Sequence, residues 1–204
     1  MDMFDSTWDG QLVSCNLPTE FGKFRLHAMP DPESGREVIA LTMGEVGNGL
    51  PVLTRMHSEC LTGDVFHSLR CDCGSQLSAA MRAIAKKGRG LIIYLRQEGR
   101  GIGLMNKIRA YELQEQGLDT VQANEILGFE ADLRRYDGAK KMLDALGISA
   151  IELMTNNPEK ISALVNLGIE VVDRIPLYVE LTAENKDYIA TKERRMNHWS
   201  RELV

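Results

Sequence analysis

The stretch from Arg55 to Leu77 carries three of the four cysteines of the chain, Cys60, Cys71 and Cys73, in the spacing C-x10-C-x-C. This stretch constrains the fold more than any other, because three thiols must converge from a single loop. Glycine and aspartate residues between the cysteines are typical of the turns that such a loop needs. Three converging thiolates favour a soft divalent cation, and zinc above the others.

The number of local ligands predicts an open metal site. Structural zinc is usually closed by four protein ligands, whereas catalytic zinc keeps one position for water. Three cysteines therefore predict a bound water whose pKa is lowered toward ~7. Two alternatives stay open: His57 or His67 closes the site as a fourth ligand, or the cysteines are small buried apolar residues without a metal. Exposed thiolates without a metal would oxidise readily, which favours the metal.

The chain of 204 residues has an ordinary globular composition and a net charge of −5. We expect a single domain over residues 1–204, with a mobile leader at 1–10, a β-rich part with the cysteine loop at 11–75, and an α/β part at 76–204. The negative net charge disfavours generic binding to nucleic acid or to a membrane surface.

The protein is expected to be cytoplasmic. No apolar run approaches the ~20 residues that span a bilayer. The acidic start MDMFDSTWDG has no apolar signal region. The fourth cysteine, Cys15, is isolated, so the sequence indicates free thiols in a reducing compartment and no disulfide framework.

Short apolar runs predict three strands in the first third of the chain, at Phe24–His27, Val38–Met43 and Val52–Met56. Proline, aspartate and glycine between residues 30 and 35 predict a turn between the first two strands. We expect these strands to form an antiparallel β region.

Strands and helices alternate after the cysteine loop, which predicts α/β architecture with α+β character: a mixed sheet flanked by helices. Apolar residues from Leu77 to Ile84 recur with helical spacing, Gly88 ends that helix, and Gly90–Leu95 has the continuous apolar pattern of a buried strand. Further helices are predicted at about 104–116, 139–146, 158–167 and 185–198, and further strands at 151–154, 169–172 and 177–181.

Two turns between a strand and a helix have the composition of anion sites. In the first, Arg96–Gly103, glycines let the backbone approach an anion, and a helix N-terminus and two arginines favour negative charge. The second, Thr155–Lys160, offers a hydroxyl and an ammonium group. The alternatives are a flexible charged turn for the first and helix capping by Asn157 before Pro158 for the second.

Two further features bear on chemistry. Asp132 and Arg134 lie just before a helix and form either a structural ion pair or a carboxylate base beside an anion-binding guanidinium. Tyr111 lies on the apolar stripe of its helix, where the alternative is a core tyrosine with a satisfied hydroxyl. A thiolate metal site, two anion sites and several arginines indicate metal-assisted hydrolysis of a phosphorylated substrate.

Long segments of the chain resemble GTP cyclohydrolase II, the enzyme that opens riboflavin biosynthesis. They are RMHSECLTGDVFHSLRCDCGSQL at 55–77, YLRQEGRGIGLMNKIRAYELQEQGLDT at 94–120, AN at 123–124, LGFEADLRRY at 127–136 and LMTNNPEK at 153–160, with a weaker match through DYIATKERRM at 187–196. Met56, His67 and Ser75 depart from the family pattern, and none of them is a metal or acid–base position.

The resemblance implies roles for individual residues. Cys60, Cys71 and Cys73 would bind one zinc ion per subunit. Asp132 would accept a proton, and Arg134 would attack the α-phosphate, although charge stabilisation is the simpler role for a group whose pKa exceeds ~12. Tyr111 also matches a catalytic position of the family and is expected to be needed for complete turnover. The implied substrate contacts are Arg55, Met56, His57, Ser58, Glu59, Gln76, Glu98, Gly99, Arg100, Thr120, Thr155 and Lys160.

The implied reaction converts GTP and water to 2,5-diamino-6-(5-phosphoribosylamino)pyrimidin-4(3H)-one, formate and pyrophosphate. Zinc would deliver hydroxide to C8 of guanine, Glu98 would accept from the guanine base, and Arg100, Lys160 and Mg²⁺ would offset the triphosphate charge. The family resemblance also implies a homodimer. Two alternatives remain: a zinc-stabilised nucleotide-binding regulatory module without turnover, and a related cyclohydrolase that releases the formylamino intermediate.

Overall fold

A computed structural model describes residues 12–31, 33, 35–130, 132–180, 182–195 and 197–199. The leader expected to be mobile, at residues 1–10, lies outside the described residues. The described strands form one sheet: β1 Val13–Thr19, β2 Gly22–Asp31, β3 Arg36–Met43, β4 Val52–Ser58, β5 Gly90–Leu95, β6 Ala150–Met154 and β7 Glu170–Ile175.

The described helices are α1 Leu61–Asp64, α2 Cys73–Lys87, α3 Leu104–Glu115, α4 Thr120–Ile126, α5 Asp137–Ala145, α6 Pro158–Asn166 and α7 Lys186–Arg195, with a short 3-10 turn at Glu98–Gly101. None of them is long and apolar enough to cross a lipid bilayer. Two predicted helix ends are confirmed. Gly88 adopts the left-handed conformation that ends α2, and Asn157 accepts a hydrogen bond from the Glu159 N–H at the start of α6.

The strand order is β1-β2-β3-β5-β4-β6-β7. The neighbours from β1 to β3 and β5 are antiparallel, whereas β5, β4, β6 and β7 run parallel. The structure confirms the predicted mixed sheet flanked by helices. It corrects one detail, because β4, expected in an antiparallel region, pairs in parallel on both sides. Parallel neighbours need a long crossover connection, and the cysteine loop with α2 supplies it between β4 and β5.

The parallel strands bring the three chemically distinctive segments to one edge of the sheet. The carboxyl ends of β4, β5 and β6 lie at that edge, at Ser58, Leu95 and Met154. Three segments follow these strand ends in sequence. They are the cysteine loop that contains Cys60, Cys71 and Cys73, the glycine turn Arg96–Gly103, and the Thr155–Lys160 turn. Open α/β sheets bind ligands beyond the carboxyl ends of their strands, so the topology places a site here.

The core has two layers, one on each face of the sheet. Successive side chains of a strand point to opposite faces. Leu91 and Ile93 of β5 therefore pack with Met142 of α5 on one face, while Ile92 packs with Ile84 of α2 on the other. Complete burial of such a side chain contributes roughly 1.5–3 kcal/mol to stability.

Five elements differ from the sequence prediction, and one of them is the short helix α1, where only turns were expected. The pattern does not predict β1, because every residue of this edge strand is exposed or half-buried and no alternation marks it. The short helix α4 is also not predicted, although Asp119 and Gln122 form a capping box at its start. The predicted strand at 177–181 is wrong for 177–180; Leu181 lies outside the described residues. The C-terminal helix ends at Arg195, short of the predicted 198.

The missing strand has a local cause. The side-chain amide of Asn156 donates to the Leu177 carbonyl at 2.8 Å and accepts from the Leu177 N–H at 3.0 Å. Both backbone groups of Leu177 are thus satisfied by one side chain instead of a neighbouring strand. The apolar character of Leu177 reflects burial against the core, where it is 7% exposed, and not strand pairing.

Candidate active site

A cleft of about 1070 Å³, including the part that opens to solvent, lies at the edge of the sheet where β4, β5 and β6 end. The segments that follow these strands form its walls, together with residues of α2, α3, α4 and α7. Most of the residues that line it are charged or polar, so it suits a polar ligand.

The three cysteines meet in this cleft. The sulfur atoms of Cys60, Cys71 and Cys73 all lie within 4.8 Å of one another. Sγ of Cys60 and Sγ of Cys71 are 3.7 Å apart. Two thiolates on a tetrahedral zinc ion, with Zn–S bonds of about 2.3 Å, would lie about 3.8 Å apart. The donor set therefore fits zinc in both chemistry and spacing.

Two glycines allow the sulfur atoms to come together. A Cβ atom on Gly63 would lie 3.0 Å from Sγ of Cys71 and 3.2 Å from Sγ of Cys60. A Cβ atom on Gly74 would lie 2.2 Å from the carbonyl oxygen of Gly63, which no backbone tolerates without moving. Close contact of α1 and the start of α2 thus depends on glycine at both positions.

Neither histidine of the loop joins the sulfur cluster. Within the described part of the chain, the three sulfurs form the group of close metal-binding atoms. Nε2 of His57 lies 3.0 Å from each carboxylate oxygen of Asp64, and His67 is exposed. Among the described residues, the expected open site fits better than one closed by a fourth protein ligand.

The three thiols differ in proton affinity. Hydrogen bonds from Cys71 and then Cys73 hold the pKa of Cys60 far below its ordinary value, and the charge of Lys107 acts in the same direction. The pKa values of Cys71 and Cys73 are raised, first by their hydrogen bonds to Cys60. Cys60 is therefore the thiol that ionises most readily.

A buried lysine links the cysteine cluster to the glycine turn. Lys107 donates from Nζ to Sγ of Cys60 at 3.1 Å and to the Thr62 hydroxyl at 2.9 Å. The same Nζ pairs with Glu98 at 2.8 Å. Burial alone would lower the pKa of Lys107, but the bond to Glu98 together with the interactions with Tyr111 and Cys60 outweighs burial, so the pKa is raised. Lys107 is therefore charged in the protein.

Glu98 is occupied by protein donors. One carboxylate oxygen accepts from Lys107 and from the Gly99 N–H at 2.8 Å, and the other accepts from the Leu61 N–H at 2.6 Å. The side chain is buried, at 4% exposure. Glu98 thus holds the glycine turn against the cysteine loop, and its expected guanine contact stays a prediction.

Asp64 organises the floor of the site. Its carboxylate accepts from Nε2 of His57, from the Tyr94 hydroxyl at 2.9 Å, and from the Cys60 N–H at 3.0 Å. Burial lowers the pKa of His57, so the imidazole is neutral at neutral pH. The carboxylate fixes the ring orientation of His57 and the backbone at the first cysteine together.

Besides Lys107, five lysine and arginine residues line the cleft: Arg55, Arg100, Arg134, Lys160 and Lys192. Lys160 donates to the Met56 carbonyl at 2.9 Å. Burial, and then the charge of Arg55, hold the pKa of Lys160 well below its ordinary value. Among the described residues, no carboxylate oxygen lies within 4.0 Å of the charged nitrogens of Arg55, Arg100 or Lys160. The wall is therefore short of negative charge.

In the described part of the chain, three buried nitrogen atoms of cleft residues have no hydrogen-bond partner: Nε of Arg55, Nδ1 of His57 and Nη1 of Arg100. An unsatisfied buried polar group costs about 1–3 kcal/mol, and more when it is charged. A ligand that supplies polar atoms to this wall would remove that cost.

Arg134 and Asp132 form a two-pronged ion pair. Nε of Arg134 lies 2.8 Å from Oδ1 and 3.0 Å from Oδ2 of Asp132, and Nη2 also bonds to Oδ2. Burial raises the pKa of Asp132, but the Arg134 guanidinium outweighs it and the net shift is downward. For Arg134, burial lowers the pKa, but Tyr136 and Asp132 produce a net rise. Both side chains are ionised.

Tyr111 lies in the wall of the cleft beside the cysteines, and is half-buried. Its ring centroid is 5.7 Å from Nζ of Lys107 and 4.9 Å from the guanidinium carbon of Arg70. Burial raises the pKa of its hydroxyl, so the hydroxyl is a neutral donor. This position favours a site residue over the core tyrosine that the helical stripe also allowed.

The cleft brings together most of the residues that the sequence singled out: Arg55, His57, Ser58, Glu59, Cys60, Cys71, Cys73, Gln76, Glu98, Gly99, Arg100, Tyr111, Thr120, Arg134, Thr155 and Lys160. Two lie elsewhere. The Met56 side chain is fully buried in the core, and its carbonyl is the group that meets Lys160. Asp132 does not line the cleft and acts on it through Arg134.

The structure adds cleft residues that sequence reasoning missed, among them Lys107, Tyr188, Lys192 and His198. Lys107 lies four positions before Tyr111, so both occupy one face of α3, and this spacing was a usable signal. The other three belong to the C-terminal segment, which no motif connects to the cysteine loop.

The fold is α/β, and its cleft contains a cluster of three cysteines that could hold a metal ion beside a wall of arginine and lysine side chains. A family model described as GTP cyclohydrolase II matches residues 10–176. GTP cyclohydrolase-2 of Hahella chejuensis is 58% identical over 187 residues, which cover 92% of this chain and 90% of the relative. The proteins of that name from Azotobacter vinelandii and Shewanella baltica are 58% and 56% identical, with the same 92% of this chain covered and 90% and 92% of theirs. The chain belongs to the GTP cyclohydrolase II family, and it is a hydrolase by that membership.

Among solved structures, a two-domain 3,4-dihydroxy-2-butanone 4-phosphate synthase from A. baumannii aligns with a TM-score of 0.45 at 16% sequence identity. The alignment covers 86% of this chain and 42% of that protein.

Proposed function

We propose that the protein hydrolyses GTP to 2,5-diamino-6-(5-phosphoribosylamino)pyrimidin-4(3H)-one, formate and pyrophosphate, the first step of riboflavin biosynthesis, as one catalytic domain. The observation that carries this proposal is a single cleft that contains both a cluster of three thiols and three basic side chains, Arg55, Arg100 and Lys160, that pair with no carboxylate among the described residues. The thiol cluster suits a metal that assists hydrolytic opening of a ring, and the basic side chains suit the binding of a triphosphate.

Cys60, Cys71 and Cys73 would hold the zinc ion. With a fourth position open, zinc supplies a Lewis acid and lowers the pKa of a bound water toward ~7. Lys107 supports this site because its charge lies against the Cys60 sulfur and offsets part of the thiolate charge. Glu98, paired with Lys107, holds the glycine turn in a fixed position against the cysteine loop.

The cationic wall would bind the phosphates. Within the described ranges, Arg55 and Arg100 have unsatisfied nitrogens, and Lys160 donates its hydrogen bond to a backbone carbonyl. Phosphate oxygens would satisfy these donors and also raise the depressed pKa of Lys160, so that it binds as an ammonium ion. We expect Mg²⁺ to neutralise the remaining charge of the triphosphate.

Arg134 acts as an electrostatic group in this proposal. A nucleophilic guanidinium must first lose a proton, yet the surroundings raise the pKa of Arg134 and keep Asp132 ionised. The geometry instead suits a charged guanidinium, fixed by Asp132, that stabilises negative charge on the departing pyrophosphate. Tyr111 would either hold the opening ring in position or donate a proton to it, because its hydroxyl is neutral and lies beside the three cysteines.

The compartment and assembly are also inferred. All four cysteines are free, which suits a reducing compartment such as the cytoplasm. Family membership supports a homodimer. The proposed roles of the cleft residues depend neither on the compartment nor on the oligomeric state.

Purified protein incubated with GTP and Mg²⁺ tests the proposal. Formate, pyrophosphate and the pyrimidine product should appear in equal amounts, and bound zinc should approach one ion per subunit. Formate distinguishes full turnover from release of a formylamino intermediate, and ATP in place of GTP is the control for base specificity. A zinc-loaded protein that binds GTP without releasing either small product would contradict the proposal and favour a regulatory nucleotide-binding module.

A further inference from the structure

The C-terminal segment, α7 with residues 197–199, forms part of the cleft, although the match to the family model ends at residue 176 and the weaker resemblance at 187–196 assigns no role to its residues. Three of its side chains line the cleft: Tyr188, Lys192 and His198. None of the motifs in the cysteine loop, the glycine turn or the Thr155–Lys160 turn includes them. Their role is therefore open.

Two contacts hold this segment to the site. The Trp199 N–H donates to the Asn156 carbonyl at 3.0 Å, within the turn that carries Lys160. Arg195 pairs with Asp119 at 3.3 Å, at the start of the helix that carries Thr120. The segment thus reaches two different walls of the cleft, which fixes the position of α7 between them.

Lys192 is the charged group of α7 that enters the cleft. Its side chain is 12% exposed and pairs with Asp72, which lies between two of the cysteines. Asp72 in turn accepts from Gln76 at 2.6 Å, and Gln76 accepts from Arg55 at 2.6 Å. Lys192 is therefore connected to the cationic wall through two side chains.

The charge of Lys192 lowers the pKa values of other basic groups in the cleft. Burial is the largest cause of the low pKa of Lys160, and Lys192 adds to it. Burial lowers the pKa of His198 to about 3, and the nearby Lys192, Arg134 and Lys160 contribute. The ammonium group of Lys192 thus belongs to the same cluster of charges as Lys160 and Arg134.

The charge balance of this cluster favours an anion. Among the described basic residues of the cleft, Lys107, Arg134 and Lys192 each pair with one carboxylate, and Arg55, Arg100 and Lys160 pair with none. Two guanidinium groups and one amine are therefore without an acidic partner there. Buried charges are costly unless paired, and a bound triphosphate supplies several negative charges at once.

We propose that Lys192 is a phosphate-binding residue of the cleft, so that the C-terminal helix completes the triphosphate site. The proposal rests on the proposed function for the identity of the substrate. The ligand chemistry alone, a chain of phosphate groups, follows from the cluster. On binding, the ammonium group shares its hydrogen bonds between Asp72 and a phosphate oxygen, and Asp72 keeps it aimed into the cleft.

Binding of inorganic tripolyphosphate to the full chain, measured by titration calorimetry, tests the proposal. Lys192→Met should weaken binding by about tenfold or more, the loss expected for one charge-assisted hydrogen bond. Lys192→Arg should retain most of the affinity. Lys186→Met is the matched control, because Lys186 lies on the same helix, is exposed and does not line this cleft.

A double variant separates contact from structure. Lys192→Met leaves Asp72 buried without its partner, and that alone can distort the metal loop. The variant Lys192→Met with Asp72→Asn removes both charges. If Lys192 binds phosphate, the double variant stays weak; restored affinity would overturn the proposal and make Lys192 a structural partner of Asp72.

Other outcomes are equally decisive. Unchanged affinity in folded Lys192→Met, or no measurable binding of tripolyphosphate to the natural chain, would overturn the inference. GTP turnover is measured on the same samples. A natural chain that binds tripolyphosphate through Lys192 but does not turn over GTP would sink the proposed function and leave this inference intact.

Discussion

Several side chains of the cleft hold two parts of the site at once. Lys107 contacts a cysteine sulfur and a carboxylate of the glycine turn. Asp64 accepts from His57 and from the backbone of Cys60. Because each residue has partners on two elements, a single substitution is expected to disturb metal binding and substrate binding together. Substitutions that separate the two functions are the informative ones.

Cys71→Ser should remove zinc and ring opening together. A serine hydroxyl is a far weaker zinc ligand than a thiolate, and two cysteines alone do not form a stable site. Metal content by mass spectrometry and formate release should both fall to near background. Cys15→Ser is the control, because Cys15 is exposed and far from the cluster in the fold. Ring opening by a zinc-free Cys71→Ser protein would refute the metal role.

The Tyr111→Phe protein should still bind zinc but should open the guanine ring much more slowly. The change removes only a hydroxyl that lines the cleft, so zinc content is expected to stay normal. Loss of a positioned proton donor costs roughly 10²-fold or more in rate. Formate release should fall by that order while tripolyphosphate binding is unchanged. An unaltered rate would assign Tyr111 to packing.

The strands and helices show where the sequence pattern is sufficient and where it is not. Helices with an apolar stripe and strands with continuous apolar runs follow the predicted pattern, because burial itself produces that pattern. The edge strand β1 is exposed or half-buried throughout, so burial leaves no alternation in its sequence. Residues 177–180 have strand-like composition, but at Leu177 the side chain of Asn156 supplies the hydrogen bonds that a neighbouring strand would.

The site itself was predictable in its motifs and not in its C-terminal wall. Cysteine spacing and strand–turn–helix signals mark segments that the parallel strands bring to one edge of the sheet. Tyr188 and Lys192 share a helix face, but an isolated lysine on a charged helix is most often solvated. Only tertiary packing reveals that Lys192 meets Asp72.

Gly74→Ala should destabilise the contact between α1 and α2. The added Cβ would lie 2.2 Å from the Gly63 carbonyl oxygen, so one of the two backbones must move. Overpacking of this kind costs about 1–3 kcal/mol or more. Urea unfolding should show that loss, and the zinc dissociation constant should rise. Ser75→Ala, an exposed change one position later in α2, should leave both quantities near normal; an equal effect would argue against the steric explanation.

At the scale of the whole molecule, buried neutral histidines make stability depend on pH. Burial, and then Arg25, lower the pKa of His27, which bonds to Ser14 at 2.7 Å and to Thr42 at 2.9 Å. The pKa of His57 is also lowered by burial. Below about pH 6.5 the unfolded chain binds protons at these rings and the folded protein does not. The free energy of unfolding should therefore fall as the pH decreases from about 7.

This pH dependence is measurable by urea unfolding at pH 7.5 and pH 5.5. Each histidine contributes a slope of at most about 1.4 kcal/mol per pH unit. His27→Gln keeps a hydrogen-bonding side chain without a titrating group, so its slope should be smaller than that of the natural chain. His67→Gln, at an exposed position, is the control. Equal slopes for His27→Gln and the natural chain would show that His27 does not contribute.

The cationic wall faces inward in a protein whose overall charge is −5. Long polyanions meet the outer surface first, where the negative field repels them, and they are too wide to follow the arginines and lysines into the interior. A mononucleotide with a single phosphate chain is small enough to enter and then experiences the concentrated positive potential. The arrangement therefore selects by size among molecules that carry the same kind of charge, and heparin or RNA should compete poorly with tripolyphosphate for the protein.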